Sequence, residues 1–382
     1  MKCLRRHLCP FSRLMSRGLY VHIPFCVKKC AYCDFVSFSD CFCQEDRYVD
    51  ALVREFEHYK GEEIDTVFLG GGTPTSLKTE SLCKILDSIF KNFSVLENAE
   101  VTVECNPKTA DREKLSALLN CGVNRLSIGV QSLDDTVLKA IGRIHSAEDA
   151  KNIIHDAKLV GFKNISADIM FGLPCQTEEI LNNTIDELCK LPLNHISCYG
   201  LILEDGTPLA EKVKKGEVTL PDEDTEFKMY ESAIVHLLEN GFKRYEISNF
   251  AKENAVSRHN IKYWECDEYI GCGVSAHSYF HGVRFSHTDD LSKYIENPLI
   301  YENKIRLTNE DKMSEFVMLG LRMDKGISDS EFFNRFKISL IDKYGDVIEK
   351  HEKNGLLEFK DGNLKFTPQG VYLSNTVLCE FM

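Results

Sequence analysis

The sequence has no apolar run approaching the roughly 18 residues that a membrane helix needs, so no membrane span is expected of its 382 residues. It has no excess of basic charge either. Lysine and arginine number 46 against 59 aspartates and glutamates, a net charge of -13, whereas nucleic acid or an anionic membrane surface would favour a basic face. Neither partner is expected. No apolar signal segment opens the chain, so its 16 cysteines read as mostly reduced thiols and not as a disulfide framework. Tryptophan is nearly absent, with Trp264 the one example.

What the chain does have is a concentration of cysteine at Tyr20 to Phe38, Y-V-H-I-P-F-C-V-K-K-C-A-Y-C-D-F-V-S-F. Cys26, Cys30 and Cys33 are spaced so that one loop can gather three thiolates on a soft metal centre, which selects zinc, copper(I) or iron-sulfur. A structural zinc site is closed by four ligands; three on a four-iron cluster leave one iron open to something that is not protein. A zinc knuckle is the competing reading. Cys83, Cys121 and Cys189 lie in helical patterns and read as small core residues, and Cys41 and Cys43 read as spectators.

Beyond that loop, short apolar runs alternate with segments of helical spacing. Strands are expected at Leu19 to Ile23, Asp65 to Leu69, Glu100 to Cys105, Arg125 to Val130, Asn164 to Met170 and His195 to Gly200. Helices are expected between them, as at Gln44 to Lys60, where Tyr48, Leu52 and Phe56 share a face. Such alternation implies a parallel sheet with helices outside. Six units are fewer than a closed eight-unit barrel uses, and the count alone does not separate a partial barrel from an open doubly wound sheet. In either, function belongs at the carboxyl ends of the strands. The unusual words fall there: Gly70-Gly71-Gly72-Thr73-Pro74, Glu104-Cys105-Asn106-Pro107, Gly129-Val130-Gln131-Ser132, Gly142-Arg143-x-His145 and Asp168 to Pro174.

The C-x-x-x-C-x-x-C loop after an apolar strand resembles the radical S-adenosylmethionine (SAM) superfamily. V-H-I-P-F-C and A-Y-C-D-F resemble the group containing the oxygen-independent coproporphyrinogen III oxidases (HemN) and the haem chaperones (HemW). The resemblance implies a partial (β/α)6 barrel and a [4Fe-4S] cluster on Cys26, Cys30 and Cys33, with SAM chelating the open iron. Carried over position by position, it implies SAM contacts at Tyr20, Tyr32, Gly71, Gly72, Thr73, Glu104, Gln131, Arg143 and Asp168. These suit the ligand. A planar guanidinium at Arg143 matches its carboxylate, Asp168 and Gln131 its ribose hydroxyls, and Glu104 its ammonium.

Further on, an amphipathic helix at Pro221 to Gly241 leads to His259-Asn260-x-x-Tyr263-Trp264 in a loop-like context, and then to Y-I-G-C-G-V-S-A-H-S ending at His277 and Ser278. The H-N-x-x-Y-W word resembles the haem chaperones in particular. It makes His259, Asn260, Tyr263 and Trp264 the expected haem contacts, with His259 as axial ligand; the alternative is that His259 is a packed core residue. Past Glu296-Asn297-Pro298 come three helices and a hairpin, Leu356 to Phe359 and Asn363 to Phe366, joined by Asp361-Gly362. Three helices and a two-stranded wing suggest a winged-helix-like unit, and its mixed charges make DNA binding the weaker reading. The expected division is an extension at 1-18, a radical SAM core with its following segment at 19-300 and a carboxyl-terminal α+β unit at 301-382.

Two functions follow from the resemblance: a haem chaperone passing haem to an acceptor protein, or a coproporphyrinogen III dehydrogenase. The dehydrogenases continue the motif with a cysteine where this chain has Phe35, and carry a long segment before the motif strand, where 19 residues precede Tyr20 here. Both differences favour the chaperone. The resemblance also implies haem or porphyrin as partner and a flavodoxin-like electron donor. The basic start, Met1 to Arg17, reads as an extension ahead of Met15, in a cytoplasmic protein, or else as a mitochondrial transit peptide.

Overall fold

The structure, a computed structural model, describes residues 16-382; most of the expected extension at 1-18 lies outside the described residues. Six strands, β1 (Arg17–Ile23), β2 (Glu63–Gly71), β3 (Ser94–Cys105), β4 (Arg125–Gln131), β5 (Asn164–Phe171) and β6 (His195–Gly200), alternate with helices. The helices are α1 (Glu45–His58), α2 (Thr79–Asn92), α3 (Arg112–Asn120), α4 (Asp135–Ala140), α5 (Ala147–Val160) and α6 (Glu178–Cys189). The strands pair in parallel and in chain order. A doubly wound sheet reverses its strand order once. Here no reversal occurs, and α1 packs on α2, α2 on α3 and α3 on α5, so the crossovers wind one way, as in a partial barrel.

Local chemistry fixes these elements. The α1 helix buries Tyr48, Leu52 and Phe56, one turn apart, against the sheet. Ser146 and Asp149 cap the start of α5 reciprocally, and Gly161, at φ 117°, ends it, a left-handed position that glycine takes without steric cost. In β4, the fully buried Leu126, Ile128 and Val130 alternate with Arg125, Ser127, Gly129 and Gln131. Strand periodicity thus puts apolar groups under the helices and polar ones on the inner face.

The sheet extends past the six units on both sides. A hairpin of β7 (Lys243–Glu246) and β8 (Asn249–Ala251) adds antiparallel to β6. On the other side β9 (Tyr269–Cys272) pairs in parallel with β1, followed by the antiparallel β10 (His277–Phe280), β11 (Val283–His287) and β12 (Tyr301–Arg306). The result is one open sheet of twelve strands. Two corrections follow. Residues 301-306, expected in the carboxyl-terminal unit, form the edge strand of the large sheet. The H-N-x-x-Y-W word is helical, not a loop: Arg258–Trp264 forms a helix capped by the Ser257 side chain, which accepts from the Asn260 amide.

A second core gathers Phe316, Val317, Phe332, Leu340, Ile348, Leu357, Leu364 and Phe381 from helices at Asn309–Gly320, Asp329–Phe336 and Leu340–Lys353, from the hairpin and from a 3-10 turn at Cys379–Phe381. The hairpin turn has both central residues at positive φ, Asp361 at 53° and Gly362 at 74°, as a type I′ turn demands. Ile327–Ser328 adds a third strand to the expected pair. Among the described residues no helix is long and apolar enough to cross a membrane.

Candidate functional site

The cysteine loop leaves β1 at Pro24 and is strapped at both ends. The Cys26 amide donates to the Phe38 carbonyl at 3.1 Å and the Phe38 amide to the Pro24 carbonyl at 2.7 Å. Further along, the Ala31 amide donates to the Ile141 carbonyl at 3.0 Å, and the Ala31 carbonyl accepts from the Leu209 amide at 2.8 Å. Tyr32 packs on a small apolar cluster of Val137, Ile141, Met170 and Leu173. The loop is thereby held over the carboxyl ends of the strands, with Cys26, Cys30 and Cys33 lining a chamber of about 490 Å3.

The strand-end words meet in that chamber. Tyr32, Gly71, Gly72, Thr73, Glu104, Gln131, Arg143 and Asp168 all line it. Glycine is required at two of these positions. A Cβ on Gly71, at φ 106°, would stand 2.5 Å from the His22 ring, and one on Gly72 would stand 2.8 Å from the Ile23 and Phe25 carbonyls. Gln131, at φ 65°, follows a register shift between β4 and β5, and this irregularity sits at the strand end that faces the chamber.

The electrostatics are those of a buried, partly compensated acid pair. Glu104 accepts from the Gly71 amide at 3.1 Å. Burial, and then the nearby Asp168 carboxylate, push Glu104 up to about 8. Burial also raises Asp168, against the lowering pull of the Ser197 hydroxyl, which donates at 2.7 Å, and of Arg125. Arg143 donates to the Gly129 carbonyl and reaches the Cys30 sulfur at 3.4 Å, while its buried Nε has no partner. Burial raises the Cys26 thiol and pushes Cys33 up to about 11.

Among the lining residues that sequence reasoning missed are Arg125, Ser127, Ser197 and Tyr199. Arg125 and Ser127 share the parity of Gly129 and Gln131, and Ser197 and Tyr199 repeat the pattern in β6. Polar residues at every second position of an otherwise apolar strand were the signal, since a strand buried on both faces should be apolar throughout.

A second chamber of about 480 Å3 lies beside the first and shares Asp34, Phe35, Gly71 and Glu104 with it. Tyr20, assigned with the SAM contacts, lines this smaller chamber instead, as do His22, Tyr263, Tyr269, Ser275 and His277. The expected haem contacts scatter. Asn260 lines the larger chamber and Tyr263 the smaller, but His259 and Trp264 line neither. His259 is 1% exposed, with Nδ1 bonded to Thr66 Oγ1 at 2.9 Å, Nε2 to the Tyr263 hydroxyl at 2.9 Å, and its ring stacked on Phe68. Both nitrogens are occupied inside the core, so the structure corrects the assignment of His259 as axial ligand. Trp264 packs under the Arg322 guanidinium.

Residues 20–188 match the family described as Radical SAM superfamily, and residues 307–373 match HemN C-terminal domain. The Bacillus subtilis protein named Heme chaperone HemW is 36% identical over 96% of this chain and 99% of its own length. Radical S-adenosyl methionine domain-containing protein 1, mitochondrial, of Danio rerio is 34% identical over 96% of this chain and 87% of its own length. A solved structure titled Coproporphyrinogen III oxidase (HemN) from Escherichia coli is a Radical SAM enzyme superposes with a TM-score of 0.84 at 24% identity, covering 96% of this chain and 90% of that one. The chain belongs to the radical SAM superfamily and, within it, to the HemW family. Membership implies a [4Fe-4S] cluster and SAM.

Proposed function

We propose that the protein is a haem chaperone: it holds a [4Fe-4S] cluster on Cys26, Cys30 and Cys33, holds SAM beside it, and passes haem to an acceptor protein. The observation that carries this reading is similarity along nearly the whole chain to proteins named as heme chaperones. The donor set fits the cofactors. Three thiolates in one loop fall one short of the four ligands that close a structural zinc site. A four-iron cluster asks instead for one thiolate on each of three separate irons. The unpartnered Nε of Arg143 and the carboxyl of Glu104 match the carboxylate and ammonium at the methionine end of SAM, and Asp168 suits its ribose hydroxyls.

When bound, a reduced [4Fe-4S] cluster supplies the electron for reductive cleavage of the SAM sulfonium bond. The chain's own groups bind and orient: Arg143 holds the SAM carboxylate, Glu104 accepts from its ammonium, and Asp168 and Gln131 take the ribose hydroxyls. Gly71, Gly72 and Thr73 let the ligand approach the backbone. The electron comes from a flavodoxin-like donor. Location in the cytoplasm, or in the mitochondrion as for the Danio rerio relative's name, follows the compartment in which haem is handed over.

SAM binding is therefore expected to be pH-dependent through Glu104. Below about 8 its carboxyl is neutral in the free protein and must lose a proton to meet an ammonium. Affinity rises with pH up to that value and levels off above it, with a proton released only on the acid side. Calorimetry in buffers of different ionisation enthalpy measures the proton, and Glu104→Gln removes both the proton and the slope.

The function itself is tested on anaerobically reconstituted protein given SAM and reductant. One haem taken up per chain and released to an apo-haemoprotein, with coproporphyrinogen III unchanged, is the expected result. Turnover to protoporphyrinogen IX would make the protein a dehydrogenase instead. The coproporphyrinogen III oxidase structure is 24% identical to this chain, against 36% for the Bacillus subtilis heme chaperone, and Phe35, 62% exposed, stands where the dehydrogenases carry a further cysteine.

A further inference from the structure

If the cargo is haem, it needs a seat, and the histidine expected to provide it is sealed in the core. We infer that the haem seat is the smaller chamber and that His277 is its iron ligand, an assignment that rests on the chaperone reading above. Among the described residues two histidines line either chamber, His22 and His277. His22 is unavailable. Its Nδ1 bonds to the Tyr20 hydroxyl at 3.0 Å and its Nε2 to the Val36 carbonyl at 2.8 Å, and the ring is 6% exposed. His277 is exposed, and no hydrogen bond, ion pair or ring contact engages its imidazole among the described residues. A neutral imidazole with a free nitrogen is a common metal ligand, and haem iron accepts histidine as its protein ligand.

The rest of the chamber suits a flat, largely apolar macrocycle. Tyr20, Tyr263, Tyr269 and Phe35 supply aromatic walls, and about 480 Å3 lies within the roughly 300–1,000 Å3 of ligand pockets. The competing oxygen ligands are poorer. The Tyr20 and Tyr263 hydroxyls are bonded to His22 and His259, and burial raises Tyr269, which disfavours the phenolate that iron would require. No lysine or arginine lines the chamber, so the two propionates stay at its mouth in water.

His277 is also held in place. It opens β10 after a turn in which Gly273 has φ 106° and Ser275 φ 61°. The Gly273 amide donates to the buried Glu55 carboxylate at 3.0 Å, and the Val274 amide to the Tyr48 hydroxyl at 3.2 Å; Tyr48 in turn donates to the His22 carbonyl at 2.6 Å. A Cβ on Gly271 would stand 2.0 Å from the His277 carbonyl oxygen, so the strands can cross this closely only at glycine. An imidazole displayed from such a pinned turn loses little freedom on coordinating iron.

The test titrates hemin into cluster-loaded protein and reads affinity together with the optical and electron paramagnetic resonance signature of histidine ligation. Wild type is expected to show that signature. His277→Ala is expected to lose it and to bind hemin at least tenfold more weakly, with cluster content and SAM affinity unchanged. His277→Gly regains the signature when imidazole is added, which loss of folding would not allow. His259→Ala keeps it, since the His259 ring lines neither chamber and reaches the smaller one only through the Tyr263 hydroxyl. Should wild type take up no hemin, the chaperone reading falls and the assignment with it. Should wild type bind hemin and His277→Ala keep both affinity and signature, or should His259→Ala alone lose it, only the assignment falls.

Discussion

Replacing Cys30 by alanine is expected to abolish the cluster: after anaerobic reconstitution, iron and acid-labile sulfide fall to background and the broad visible absorption disappears. Three thiolates are the minimum that leaves one iron open, and two do not hold the cubane. No described residue stands ready as a substitute. Cys41 and Cys43 lie outside both chambers, and Cys105, which lines the larger one, is buried with its thiol pushed up to about 12 by desolvation. Folding should survive the change, because Cys30 is only half-buried and its loop is tied by backbone hydrogen bonds on either side. An unaltered far-ultraviolet circular dichroism spectrum with no iron is the outcome anticipated, and Cys43→Ala should load normally. A full complement of iron and sulfide in the Cys30→Ala protein would overturn the ligand assignment.

Arg143→Met is expected to cost SAM affinity without cost to the cluster. Truncating one partner of a buried, hydrogen-bonded charge pair typically loses about 2–5 kcal/mol, which corresponds to roughly 30- to 5,000-fold in Kd. The Gly129 carbonyl holds the guanidinium in place before any ligand arrives, so little of the affinity is lost to ordering it. Arg143→Lys should recover only part, since an ammonium offers a point charge where the carboxylate meets a planar fork. Calorimetric titration of SAM into protein of verified iron content measures both. Wild-type affinity in Arg143→Met would place the carboxylate elsewhere.

The six repeating units were legible because each strand is a short apolar run between helical segments with visible faces and caps; His195–Gly200 was read to the residue. The larger chamber was legible for a related reason, since strand ends are where glycine, acid and arginine have no packing role. The flanking strands were not. Asn249–Ala251 and Tyr269–Cys272 are three and four residues long, too short for periodicity to register. The pairing of Tyr269–Cys272 with Gly18–Val21 joins positions about as far apart in sequence as the core allows. His259 shows the limit most clearly. Its neighbours in sequence spell a motif, and one of them, Tyr263, takes Nε2; but Thr66, which takes Nδ1, Phe68, which stacks on the ring, and Glu100, which accepts from the backbone amide, come from strands laid down long before it, and only the fold reveals that they enclose it.

The four residues common to both chambers, Asp34, Phe35, Gly71 and Glu104, have a thermodynamic consequence. An occupant on one side that shifts this partition, or changes the charge on Glu104, alters the affinity of the other side. Linkage requires the effect to run equally in both directions: whatever factor SAM applies to the cargo's dissociation constant, the cargo applies to SAM's. A thin wall between two cavities is in this sense a reciprocal valve, and handover of the cargo would respond to SAM concentration even if no SAM were consumed.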